Sequence, residues 1–168
     1  MKKRCLACQL NAGEVVAPGG VLYSDDHWSV DHALNPGDAT FSPLKGHMIV
    51  RARRHVKHVY LITAEESVTL GLLLRDVAEA VARAMNPQRV YVCSIGEAIE
   101  HLHWHVIPRY QGMPANPADI LNGIFRMSPW PCPTAYAVAA AEQIKEFLDQ
   151  LIAAREQNLR TMQHPAWR

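Results

Sequence analysis

Three histidines at alternate positions, His101, His103 and His105, stand inside the run His-Leu-His-Trp-His-Val-Ile-Pro-Arg. In an extended strand successive side chains point to opposite faces, so a period of two sends the three imidazoles to one side and Leu102, Trp104 and Val106 to the other. The run predicts a strand with core on one face and polar chemistry on the other. A solvated strand face or a structural metal site would also use three histidines, since imidazole is the commonest metal ligand.

A second signal lies upstream. Cys5-Leu-Ala-Cys8 is either a redox couple or half of a tetrahedral zinc site. A thioredoxin-like pair follows a strand and opens a helix, but this one follows only Met1-Lys2-Lys3-Arg4. Zinc is therefore favoured. Two thiolates need two further ligands, and histidine is the rich supply: His47, His55 and His58 in the middle of the chain and the triplet beyond.

Around these residues the chain reads as α+β. Gly19-Gly20 is a turn, and Val21-Leu22-Tyr23 and His27-Trp28-Ser29-Val30 predict a hairpin around Ser24-Asp25-Asp26. Asn35-Pro36-Gly37-Asp38 breaks the chain, and Lys45-Gly46 leads into the apolar strand Met48-Ile49-Val50. Thr63 with Glu66 forms a capping box, and Leu70, Leu73, Leu74, Val77 and Val81 recur on one helical face until Asn86-Pro87. That stripe is core. Arg89-Val90-Tyr91-Val92-Cys93 predicts a strand, Gly96 turns, and the histidine strand returns beside it.

Beyond Arg109 the character changes. Residues 112–117 form a loop, and Pro129, Pro131 and Pro133 around Trp130 and Cys132 make a stiff, extended segment. Residues 136–157 then predict a long helix with Ile144, Phe147, Leu148 and Leu151 on one stripe. The expected organisation is one domain over residues 1–111 and an extension over 112–168, too short for its own core, packed on the domain or on a second subunit.

At 168 residues the chain is one domain's worth, and 49% hydrophobic with 20% charged residues is ordinary globular usage. A net charge of +1 gives no reason to expect a nucleic-acid or membrane surface. The basic start runs into Cys5 rather than a long apolar stretch, so no signal peptide is expected, and no run approaches the ~20 apolar residues of a membrane span. The expected compartment is the cytoplasm, which would keep Cys93 and Cys132 reduced.

These residues resemble the histidine triad (HIT) nucleotide hydrolases and transferases. The resemblance runs from Cys5 to about Arg109 and rests on four elements in order: Cys5-x-x-Cys8; Gly46-His47-Met48-Ile49-Val50 with Arg53-Arg54-His55-Val56; the Thr63-Ala64-Glu65-Glu66 helix start; and His101-x-His103-x-His105. It implies a HIT-like antiparallel sheet of about five strands with one packed helix, followed here by a C-terminal helical extension. It also implies a structural zinc ion on Cys5, Cys8, His55 and His101, and a homodimer.

Neutral imidazole, with an unperturbed pKa of about 6.5, is a competent nucleophile at phosphorus near neutral pH. By the resemblance, His103 is the nucleophile that forms a nucleotidyl-histidine intermediate at an α-phosphate, while His105 and His47 orient it or stabilise phosphoryl charge. The implied substrates are nucleoside phosphoramidates or dinucleoside polyphosphates. Inorganic phosphate as acceptor would make the protein a phosphorylase, and loss of turnover would leave a zinc-braced nucleotide-binding protein. Asp31 is the nearest match to the residue that holds ribose hydroxyls, and Ser94 is a candidate phosphate contact.

Two departures stand out. The loop before the triplet, Gly96-Glu97-Ala98-Ile99-Glu100, has Ala98 where many members carry a hydroxyl or amide, which touches leaving-group handling. The stretch between Asn35 and Leu44 reads as an insertion at the edge of the nucleoside pocket. His58 is expected to face solvent.

Overall fold

The computed structural model describes residues 5–35, 41–126 and 130–163. Pro36, Gly37 and Asp38 of the expected break, Pro129 of the stiff segment and the first four residues lie outside these. Along the chain the elements are α1 (Leu6–Asn11), β1 (Val21–Ser24), β2 (Trp28–His32), β3 (Phe41–Ser42), β4 (Met48–Ala52), a single 3₁₀ turn (Val59–Leu61), α2 (Ala64–Met85), β5 (Arg89–Cys93), β6 (His103–Arg109), α3 (Pro117–Arg126), β7 (Cys132–Pro133) and α4 (Thr134–Gln163).

Five strands form one antiparallel sheet in the order β1-β2-β4-β6-β5. Alternation gives each central strand two faces. Trp28 and Val30 of β2, Met48 and Val50 of β4, and Trp104 and Val106 of β6 share a buried face with Leu70, Leu73, Val77 and Val81 of α2 and Ile144 and Leu148 of α4. The two tryptophans meet edge to face, ring centroids 5.7 Å apart, and the Trp28 indole N–H donates to Thr69 at 3.0 Å. Two helices, not α2 alone, therefore cover this side. A buried ion pair at 2.9 Å between Arg155 of α4 and Asp76 of α2 ties them together.

The start of α2 is fixed as expected. The Glu66 N–H donates to the Thr63 hydroxyl at 3.1 Å and the Thr63 N–H to the Glu66 carboxylate at 2.7 Å, satisfying two donors that a helix N-terminus leaves open. At the other end Asn86 takes a left-handed conformation, φ 46°, and stops the helix before Pro87.

On the opposite face β2, β4 and β6 present Ser29, Asp31, Ile49, Arg51, His103, His105 and Ile107. The register places Arg51 across from His103 and Ile49 across from His105. A smaller cluster of Leu44, Ile107, Met113 and Ile120 covers one end of this face, and the histidines occupy the other.

Some elements differ from the reading of the sequence. The histidine strand begins at His103, so His101 precedes it in a bend whose N–H donates to the Ile99 carbonyl at 2.7 Å. Helix α3 was not anticipated, although Pro117 opens it and the Asn116 side chain accepts the Ala118 N–H at 3.1 Å, both ordinary start signals. Short strands β3 and β7 pair with each other, which only a contact between the insertion and the C-terminal segment could produce. Helix α4 is longer than expected at both ends.

Candidate functional site

The triplet and the cysteine pair resolve into two side-chain clusters. In the first, Cys5 caps the N-terminus of α1 and Cys8 lies in its first turn, so one helical turn presents both thiols in the same direction. His55 follows β4 in a loop held by Arg54, whose guanidinium donates to both Glu66 oxygens at 2.6 and 2.8 Å. Arg54 in turn holds the Glu66 carboxyl down to about 2. The Leu102 N–H donates to the Val56 carbonyl at 2.7 Å, bringing the His101 bend alongside.

The resulting donor atoms lie within 4.8 Å of one another. Cys5 Sγ is 3.5 Å from His101 Nδ1, Cys8 Sγ is 3.6 Å from the same atom, and Cys8 Sγ is 3.3 Å from His55 Nδ1. Zinc bonds of ~2.3 Å to sulfur and ~2.0 Å to nitrogen in a tetrahedron require ligand-to-ligand edges of about 3.5 Å. The residues fit that ion. The second nitrogen of His101 donates to the Ala52 carbonyl at 2.7 Å, the outer contact that leaves Nδ1 as the ligating atom. Burial, with Cys5 beside it, pushes the Cys8 thiol up, a cost that a divalent cation offsets by binding thiolates. Four protein ligands fill a tetrahedron, so this cluster has no open position for substrate.

The second cluster is a relay of three imidazoles. His103 Nδ1 donates to the His101 carbonyl at 2.6 Å; its Nε2 is 3.1 Å from His105 Nε2, and His105 Nδ1 is 3.0 Å from His47 Nε2. A carbonyl can only accept, so the proton of neutral His103 sits on Nδ1 and its lone pair on Nε2. With that fixed, one proton arrangement among the three rings avoids opposing lone pairs: His105 Nε2–H donates to His103, and His47 Nε2–H donates to His105, with the Ile95 carbonyl a further acceptor beside the His105 ring.

All three rings are buried, His103 at 8%, His105 at 6% and His47 at 1% relative exposure. Burial lowers each below the ordinary imidazole value. His103 is opposed by its backbone bond and pushed further by Arg51. His105 is held at about 4, with the neighbouring His103 adding to burial. His47 is held well below the ordinary imidazole value, burial first and the neighbouring histidines next. The relay is thus neutral at pH 7, the state in which an imidazole nitrogen can attack.

The remaining expected contacts are engaged elsewhere. Asp31 is buried, and Arg51 donates to its carboxylate; burial pushes the acid up to about 6 against that pull. A ribose contact at Asp31 would share the carboxylate with this pair. The Ser94 hydroxyl donates to the His103 carbonyl at 2.7 Å, so its contact is with the relay strand. His58 is exposed and stacks on Tyr60, as its setting suggested.

Arg51 was not singled out from the sequence. Its guanidinium bonds Asn11 Oδ1 at 2.7 Å and Ser29 Oγ at 3.3 Å besides Asp31, while Asn11 also donates to the Ala52 and Arg53 carbonyls. The signal was a cation at the outward phase of an apolar strand, two residues after Ile49. A shallow groove of about 470 Å³ with Lys45, Tyr110, Trp130 and Tyr136 in its walls lies at the far end of β6 from His103. None of the clustered histidines lines this groove.

A model of the HIT domain matches residues 15–112. The chain belongs to the HIT domain family. The family segment thus begins after the cysteine pair and ends before α3. A Bacillus subtilis protein named "Protein hit" is 27% identical over 113 residues, covering 64% of this chain and 72% of its own. The crystal structure of a zinc-bound histidine triad family protein from Mycobacterium smegmatis matches with a TM-score of 0.63 at 19% identity, over 89% of this chain and 96% of that one. A hypothetical histidine triad nucleotide-binding protein from Sulfolobus tokodaii matches with a TM-score of 0.65, 19% identity, and coverage of 88% and 93%. At 88–89% of the chain, these likenesses extend the shared fold beyond residue 112 and into α4. No helix among the described residues is long and apolar enough to cross a membrane.

Proposed function

We propose that the chain is a nucleotide hydrolase or nucleotidyl transferase in which His103 Nε2 attacks an α-phosphorus. The observation that carries this reading is the 2.6 Å bond from His103 Nδ1 to the His101 carbonyl, which leaves the lone pair on the nitrogen beside His105. In the first step an N–P bond forms as the bond to the leaving group breaks, and the electron pair departs with that group. In the second, water or another acceptor attacks the same phosphorus, the N–P bond breaks and the lone pair returns to Nε2. His105 Nε2–H is the neighbouring donor to a phosphoryl oxygen or to the departing atom.

The substrates proposed are small molecules bearing a nucleoside monophosphoryl group, either phosphoramidates or dinucleoside polyphosphates. Cys5, Cys8, His55 and His101 would hold a zinc ion that braces the fold, as the closed donor set and the zinc-bound Mycobacterium smegmatis relative suggest. A homodimer fits β5, an edge strand with Val92 exposed. Sedimentation at micromolar concentration tests it, and a monomer would contradict it.

A second reading, nucleotide binding without turnover, is favoured by Ala98 in the loop before the relay. One experiment separates the two. A fluorogenic adenosine phosphoramidate should be turned over by the wild type and at least ~10³-fold more slowly by His103→Ala. Equal rates would remove His103 as nucleophile, and binding without turnover by the wild type would favour the second reading.

A further inference from the structure

Outside the two clusters one histidine is wholly buried and fully engaged. His32 ends β2 at 0% relative exposure. Its Nε2 accepts the Gly46 N–H at 3.0 Å. Its Nδ1 lies 2.9 Å from the Ala33 carbonyl and 3.1 Å from the Ser42 hydroxyl. Because a backbone N–H can only donate and a carbonyl only accept, the ring is fixed with its proton on Nδ1. Ser42 Oγ also donates to the Ala33 carbonyl at 2.7 Å, so one imidazole gathers the residue after β2, the far side of the insertion and the corner before β4.

That corner positions the relay. Gly46 has φ +73°, and a Cβ there would lie 2.7 Å from Met85 Cγ, so both the turn and the close approach require glycine. The next residue is His47, whose carbonyl accepts the Ala33 N–H at 2.7 Å and whose N–H donates to the Leu44 carbonyl at 3.2 Å. Among the described residues His47 Nδ1 has no hydrogen-bond partner. The ring's placement therefore depends on its backbone and on the single bond to His105.

We propose that His32 is a positioning residue of the relay: by accepting the Gly46 amide it sets the corner that aims His47 Nε2–H at His105, and so selects the tautomer of His105 that faces His103. The effect on turnover rests on the reaction proposed above; the effect on the imidazoles does not. Small misplacements of a catalytic group cost up to about 10²-fold in rate.

Two polar variants separate the atoms involved. In His32→Asn the amide occupies the Nδ1 side of the ring and keeps a donor for Ala33, but it is too short to accept from Gly46. In His32→Gln the longer amide reaches Gly46 with its oxygen. The relay tautomers are read from long-range proton–nitrogen NMR of the imidazoles, and kcat and KM from phosphoramidate hydrolysis. His32→Asn should give His47 and His105 resonances of mixed tautomer and lower kcat about 10- to 100-fold with KM within about threefold. His32→Gln should restore both readouts to near wild type.

Identical tautomers and equal kcat in the two variants would overturn the proposal. So would failure of both to fold, since His32 would then determine the fold and not the relay. A wild-type protein that turns over no phosphoramidate would sink the reaction, and the NMR comparison would still decide the role of His32.

Discussion

Two histidines two residues apart, His101 and His103, end in opposite kinds of chemistry, and the difference comes from their neighbours. His101 sits in a bend, where its ring turns toward two thiols on α1 and a fourth ligand in the loop after β4. His103 opens the strand, where its ring meets other imidazoles and its Nδ1 is committed to a carbonyl. One cluster offers four donor atoms, enough to close a tetrahedron. The other is a row of neutral rings with a lone pair at its end. In the reading proposed above, the same side chain serves as brace or as nucleophile according to which nitrogen the backbone occupies.

The largest effect expected of this contrast is a swap of phenotypes. His103→Ala should lose at least ~10³-fold in turnover with metal content and melting temperature unchanged. His101→Ala should lose the metal and melt roughly 10 °C lower, a shift corresponding to about 3 kcal/mol in a chain of this size. Elemental analysis and calorimetry on both variants check this, and metal loss in His103→Ala would merge the two clusters into one.

Arg51 is the physical link between them. It is bonded to Asn11 on the helix that bears the cysteines and lies across the sheet register from His103. Arg51→Met strands the Asp31 charge in the interior and should cost about 3–5 kcal/mol, with much of it recovered when Asp31→Asn is added. Urea melts of the single and double variants measure the coupling, and additive losses would mean that the pair does not act as a unit.

Acid should weaken the buried imidazoles on a definite schedule. His105 and His32 are held at about 4 against 6.5 in the open chain, so between those values the unfolded state binds more protons. These rings should therefore lower stability as pH drops from 6.5 toward 4, by up to about 3 kcal/mol each, while the raised Asp31 carboxyl works in the opposite sense below about 6 and offsets part of it. His105→Gln should flatten this slope. Metal release, followed in parallel, reports separately on the other cluster.

The smallest effect concerns the loop that delivers His55. Thr63→Ala removes one of the capping bonds of α2 and should cost about 1 kcal/mol. Turnover should be unchanged, since Arg54 still reaches Glu66.

Much of the site was legible because local periodicity and local chemistry agreed. Alternation in β6 placed His103 and His105 together, the Thr63 and Glu66 spacing fixed the start of α2, and the cysteine spacing marked half of a zinc site, though not the helix α1 that presents it. What escaped depends on long-range geometry. His101 leaves the strand because the bend at Ile99 precedes it. His32 and Arg51 gain their roles from partners 14 and 40 residues away, which no window of sequence displays. The β3 and β7 pairing arises in the same way, as does the bond between Asp31 and Arg51 on a neighbouring strand.

The most direct measurement is a rapid quench of the wild type with an adenosine phosphoramidate, followed by proteolysis and mass spectrometry of the peptide containing β6. The account expects an adenylyl group on the ring of His103, absent from His103→Ala and present in His101→Ala that retains its fold. A turning-over wild type that never carries nucleotide on His103, or carries it on another residue, would contradict it.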